Sequence, residues 1–254
     1  MTALFAAMTQ ALGLPEFPVL FRYVDELPRG TLLPPEGART CLFALLATTR
    51  AEGRPVALSA AHHGCPGGGY YLGFLGAPRE GIEHFLSCGI PGKMEGERYL
   101  KTPELARARI AQAPVRPAPG KFGLFTRADA PPYGEKPEAV IFFANPDQVA
   151  GLHMLAGFDR ADDAVVAPFS SGCGAIVTLP LAEAARTPQR AVLGLFDPSA
   201  RPFVEPDLLT FAVPYAMFER MAGNAGESFL TRPTWGAIRR RISGPRAGGP
   251  APGL

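Results

Sequence analysis

Seven runs of six or seven residues, each rich in β-branched and aromatic side chains, punctuate this chain of 254 residues: 18–24, 55–60, 121–127, 138–144, 164–169, 190–196 and 208–214. Runs this short, bounded by Gly, Pro, Asn and Asp, read as strands. Between them lie segments with apolar residues at helical spacing. The first is 3–12, where Leu4, Phe5, Met8 and Leu12 recur before Gly13. Helices are also predicted over 38–49, 79–87, 103–113, 147–157, 214–222 and 233–242, and in the apolar stretch after Gly174. Asn145-Pro146 is a helix start, with the amide as cap and proline at the first helical position. Residues 27–37 and 62–76 are predicted as loops. Strands and helices in this irregular order predict an α+β fold in one domain, with a mixed or mostly antiparallel sheet packed by helices.

Hydrophobic residues make up 47% and charged residues 19%, a composition that supports a sizeable core rather than disorder. The net charge of +2 implies no basic surface for nucleic acid. No run of about 18 apolar residues exists to span a membrane. The start, MTALFAAMTQALGLPEF, lacks the basic stretch and long apolar core of a secretory signal, so a cytoplasmic location is expected. The domain is expected over 1–242 and a disordered tail over 243–254. That Gly/Pro-rich tail has too little apolar surface to offset its ordering entropy. Deleting it is expected to leave the melting temperature unchanged within error; a large fall would show that it docks.

In a reducing compartment four cysteines need not form disulfides. Cys41, Cys65, Cys88 and Cys173 are widely spaced with no CxxC pair, which excludes a zinc ribbon or a ferredoxin-type run. Glycine beside cysteine lets the backbone approach closely and aims N–H groups at sulfur. Gly64-Cys65-Pro66, Cys88-Gly89 and Gly172-Cys173-Gly174 have this form. Cys173 opens a predicted helix, whose dipole favours thiolate. Cysteines distant in sequence can converge on an iron–sulfur cluster. Against this, cysteine is among the most buried residue types, and Cys41, among Leu42, Phe43, Leu45 and Leu46, reads as core packing. VALSAAHHGCPGG and VVAPFSSGCGAI share a strand, a polar turn and Gly-Cys, the pattern of an internal duplication that would bring Cys65 and Cys173 together.

Other motifs read mainly as structure. His62 and His63 precede Cys65 and are either solvated or available as ligand or base. Gly67-Gly68-Gly69 lacks the Lys-Ser/Thr of a phosphate-binding loop and reads as a flexible turn, with Tyr70 and Tyr71 starting a strand. Asp197, Ser199 and Arg201 fit a hydrogen-bonded turn. Arg239, Arg240 and Arg241 end a helix, where cations are favourable.

Five segments together resemble one family: HHGCPGGGYYLGF at 62–74, VIFFANPDQVAGL at 140–152, SSGCGAIVTLP at 170–180, VLGLFDPSARP at 192–202 and SFLTRPTWGAIRRRI at 228–242. The chain is similar over roughly 15–242 to the ArCR family, domain of unknown function 169, of bacteria and archaea. The resemblance implies recurring cysteine and glycine positions, which Cys65 and Cys173 match, and it brings no activity with it. The residues point to a cysteine-lined site holding an iron–sulfur cluster or another thiophilic ligand in a redox or accessory role. Cys41, Cys65, Cys88 and Cys173 are its ligands, with Gly64, Gly172 and Gly174 shaping it, and the expected partner is a small molecule or a redox protein. The alternatives are a metal-free small-molecule binding module and a thiol enzyme using Cys65 or Cys173.

Overall fold

A computed structural model describes residues 2–130 and 136–244. Seven strands form one sheet: β1 (Val19–Val24), β2 (Val56–Leu58), β3 (Phe122–Arg127), β4 (Ala139–Ala144), β5 (Val165–Val166), β6 (Ala191–Gly194) and β7 (Leu209–Pro214). Their order is β2-β3-β1-β4-β7-β6-β5. All neighbours pair antiparallel except β5 and β6, which are parallel. The mixed, mostly antiparallel α+β domain is therefore present.

Nine α-helices are described: α1 (Thr2–Leu12), α2 (Leu42–Glu52), α3 (Pro66–Tyr71), α4 (Ile82–Phe85), α5 (Pro103–Ala111), α6 (Pro146–Ala156), α7 (Leu179–Ala184), α8 (Tyr215–Asn224) and α9 (Pro233–Ser243). Of the expected tail, residues 245–254 lie outside the described residues, and Ser243 still belongs to α9.

Strand β4 is buried along its whole length, because both faces of the sheet are covered. Side chains alternate across a strand, and they sort into two cores accordingly. Val140, Phe142, Phe211 and Val213 face α1, α6, α8 and α9, where Phe5 stacks on Phe218 with ring centroids 4.5 Å apart. Ile141, Phe143, Phe21 and Ala212 face α2 and the segment around Cys173. Asn145 caps α6 as expected, and its neighbour Gln148 completes a capping box by returning its side chain to the Asn145 N–H.

Several local expectations change: the helix predicted at 38–49 is Leu42–Glu52, which leaves Cys41 just before it, and the strand predicted at 55–60 is only Val56–Leu58. The strand predicted at 164–169 is only Val165–Val166, and the helix predicted at 79–87 is only Ile82–Phe85. The glycine-rich stretch predicted as loop contains α3, and Tyr70 and Tyr71 end that helix instead of starting a strand. Both Gly-Cys turns follow an edge strand, but β2 pairs antiparallel with β3 while β5 pairs parallel with β6. That difference in pairing gives an internal duplication no support.

Candidate functional site

Each of Cys41, Cys65 and Cys173 stands where a helix begins. Cys41 is the extended residue before α2. Cys65 precedes the short α3, and its sulfur accepts a hydrogen bond from the Gly68 N–H at 3.2 Å. Cys173 lies in the first turn of a helix running from Gly172 through a π-helical turn, Gly174–Thr178, into α7. Ser171 starts this helix, its Oγ accepting from the Gly174 N–H at 3.1 Å. Single π-turns widen a helix locally and recur at functional sites.

Close backbone approaches bring the three together. Gly64 has φ +71°, and a Cβ there would lie 2.8 Å from the Thr40 carbonyl oxygen, while the Thr40 N–H donates to the Gly64 carbonyl at 3.1 Å. Glycine at this position sets Cys65 beside Cys41. A methyl on Gly172 would overlap the Phe43 ring in the first turn of α2, so the missing side chain lets the two helix starts meet. Gly174 lies against the Tyr71 ring at the end of α3, and the Thr178 hydroxyl donates to the Tyr71 carbonyl. These contacts give Gly64, Gly172 and Gly174 a definite physical role, which is to bring segments carrying cysteines into contact.

Cys41, Cys65 and Cys173 line one cavity of about 510 Å³. Tyr70, Tyr71, Phe85, Phe169 and Phe196 supply much of its wall. The turn at 195–199 closes one side. Buried Leu195 takes φ +69°, a conformation that costs a non-glycine residue about 1–3 kcal/mol and tends to persist at functional sites. The following Asp197 accepts from the Ser199 hydroxyl at 2.6 Å, the Ser199 N–H at 3.0 Å and the Gly172 N–H at 3.3 Å. The hydrogen-bonded turn predicted for this segment is present, and it also ties to the helix that carries Cys173. Arg201 donates to the carbonyls of Pro206 and Leu208, so its role is to hold the next loop.

Electrostatically the thiols form a set. Burial pushes the Cys173 thiol well above the ordinary cysteine range, and Cys65, Cys41 and Asp197 push it the same way. Burial raises Cys41 too, opposed by the Phe43 N–H. In both, burial favours the neutral thiol over the thiolate. Tyr71 is pushed up to about 12, by burial first and then by Tyr70 and Cys173.

The other expected site residues lie elsewhere. Cys88 is exposed, away from the cavity, with its thiol directed to the Gly89 carbonyl at 3.7 Å. Neither His62 nor His63 lines the cavity, and His62 Nδ1 is 3.0 Å from the Pro34 carbonyl oxygen. Among the described residues no three His, Cys, Asp or Glu side chains are grouped to hold a single metal ion, and no helix is long and apolar enough to cross a membrane. The aromatic wall was not legible in the sequence; its one local signal is the Tyr70-Tyr71 pair beside Cys65.

Fold and site together define a class: a mixed seven-stranded sheet with helices on both faces, and a thiol-lined cavity over one of them. The chain belongs to the family described as uncharacterised ArCR, domain of unknown function 169, whose sequence model matches residues 7–224. No curated protein and no solved structure matches the chain significantly.

Proposed function

We propose that the cavity holds a thiophilic group at its Cys41, Cys65 and Cys173 end, and that this group is an iron–sulfur cluster serving a redox or accessory role. The observation that supports this is the convergence of three thiols from distant segments on one apolar cavity. Thiolates are soft ligands suited to such clusters. A cluster takes its ligands on different irons, so its sulfurs stand farther apart than ligands of one ion. Among the described residues the three thiols do not form a single-ion group, so one metal ion bound alone is not what we propose. Cys88 lies outside, so the cavity offers three cysteines where four are usual, leaving one position for another ligand. Because Cys41 and Cys173 are raised, loading must release their protons and is expected to weaken as pH falls.

A thiol enzyme using Cys173 is less well supported than one using Cys65. A reactive cysteine needs a base or cation beside it, whereas Cys173 has thiols and a carboxylate as neighbours. The metal-free binding module retains a specific argument, since about 510 Å³ behind aromatic walls is within the range of small-molecule sites.

Protein purified without oxygen and reconstituted with ferrous iron and sulfide tests the reading. Broad visible absorption with bound iron and sulfide is expected. Cys41→Ser, Cys65→Ser and Cys173→Ser are each expected to lose most of it, because a serine hydroxyl is not ionised at neutral pH and is a poor soft-metal ligand. Cys88→Ser is expected to keep it. Colourless, iron-free protein after reconstitution would overturn the cluster and leave the metal-free module.

A further inference from the structure

We infer that residues 76–116 are a lid that opens to load this cavity with a neutral, largely apolar small molecule. The inference holds whatever group the thiols carry. The chain leaves the body at Gly73 and returns at Ala118, whose N–H donates to the Gly73 carbonyl at 3.0 Å. A Cβ on Gly73 would overlap the Arg116 carbonyl, so the two strands of this neck touch. Between them lies a self-contained unit. Phe85, Ser87 and Leu86 accept backbone hydrogen bonds from Glu97, Arg98 and Leu100 at 2.7, 3.0 and 3.0 Å. Glu83 pairs with Arg107 at 3.6 Å, joining α4 to α5. No backbone hydrogen bond joins 76–116 to the rest of the chain among the described residues. No residue of this unit belongs to either core, and α4 and α5 pack extensively only on each other.

The unit meets the body across the cavity. Ile82, Phe85, Leu86, Tyr99 and Ile110 roof the space above the thiols. Two contacts act as latches. Tyr99 lines the cavity together with Asp197 and Ser199 of the body, and its hydroxyl donates to Glu97 at 3.1 Å. The Arg109 guanidinium lies over the Phe169 ring at 5.8 Å. A second, smaller crevice runs along the same seam between Arg109, Ile110 and Pro114 on one side and Phe169, Ser170 and Leu179 on the other. A segment joined to its body by a narrow neck and a loosely filled seam opens locally at far lower cost than the sheet.

The wall selects the ligand. Arg79 is the one basic residue lining the cavity among the described residues, but it is exposed to solvent, and the Asp197 carboxylate already accepts three hydrogen bonds from the protein. A charged molecule would be desolvated without a free partner inside, whereas aromatic faces reward a flat apolar body.

Hydrogen exchange on the full chain, with and without the neutral probe N-phenyl-1-naphthylamine, tests both parts. Amides of 82–111 are expected to exchange together and much faster than those of β4 and β7, and to slow severalfold when the probe is bound. Tyr99→Phe with Arg109→Ala is expected to speed exchange in 76–116 severalfold and leave the sheet unchanged. The anionic probe 1-anilinonaphthalene-8-sulfonate is expected to bind severalfold more weakly than the neutral one. Exchange of 82–111 only through global unfolding, or exchange that the bound probe does not slow, would overturn the lid. Equal or tighter binding of the anionic probe would overturn the ligand class. The wild-type measurements decide the matter even if the double variant folds poorly.

Discussion

Arg50→Met is expected to destabilise the protein by about 3 kcal/mol at neutral pH, the lower end of the range for removing one partner of a buried ion pair. Arg50 sits in the last turn of α2 with only 7% of its side chain exposed. It donates to Glu16 at 2.5 Å and to both carboxylate oxygens of Glu205 at 2.9 and 3.1 Å, and it lies 4.3 Å over the Phe143 ring. Methionine keeps the apolar stem and the ring contact but leaves Glu16 partly buried without its cation. Glu205 is more than half exposed and recovers water, which keeps the loss at the lower end.

The loss depends on pH in a definite sense. Burial already holds the Glu16 carboxyl above its ordinary value of 4.5, with Arg50 pulling it down; without Arg50 it rises further. A carboxyl raised on folding contributes its stability below its unfolded pKa and loses it as pH rises through the folded value. Glu205 is lowered by Arg50, so in the parent its contribution is present above its unfolded pKa and fades as pH falls. Both effects shrink the difference between variant and parent at acid pH. Urea unfolding at neutral pH and near pH 4.5 is expected to show the gap narrowing, and Arg50→Met with Glu16→Gln to recover part of it. A gap that widens in acid would mean that Glu16 is not the group left uncompensated.

Trp235→Ala is expected to cost about 4 kcal/mol, within the range for deleting a buried aromatic side chain, and to lower the melting temperature by roughly 10 °C for a domain of this size. Trp235 lies beyond the segment matched by the family, yet it is 2% exposed and belongs to the core formed with α1, α6 and α8. Its indole N–H donates to the Ala11 carbonyl at 2.8 Å, and its ring meets Phe229 edge-on at 5.3 Å. Gly151 in α6 has no side chain where this ring seats, so the pocket is shaped for tryptophan. Differential scanning calorimetry of the variant checks the value. A fall of only a degree or two would mean that α9 is an appendage to a core already complete.

Periodicity and capping are local, and they were legible. The spacing of Leu4, Phe5, Met8 and Leu12 marked α1, and Asn145-Pro146 marked the start of α6, because a helix start is satisfied by residues within one turn of it. The seven β-rich runs marked all seven strands for the same reason. Gly67-Gly68-Gly69 read as loop because glycine is a poor helix former. The structure makes it helical, with Cys65 accepting at the start, Pro66 in the first turn, and Gly69 packed where a Cβ would lie 2.8 Å from Leu75. Tertiary packing overrides propensity there.

At the cysteines the difference is sharper. Cys41 read as packing because its sequence neighbours are Leu42 and Phe43, and those two are indeed buried. Cys41 itself, the residue before the helix, does pack against that core while partly buried, and what else lies opposite it is set by contacts that no local pattern encodes. These are Gly64 against Thr40 and Gly172 against Phe43. The glycines at 64, 172 and 174 were visible beside their cysteines, but the side chains they make room for belong to other segments. The sequence alone determined the strands, most of the helices and which turns pair cysteine with glycine. Only the tertiary structure decided that Cys41 shares a cavity with Cys65 and Cys173, that Cys88 stays outside, and that 76–116 roofs the space, because close approach between distant segments is a property of the packed chain.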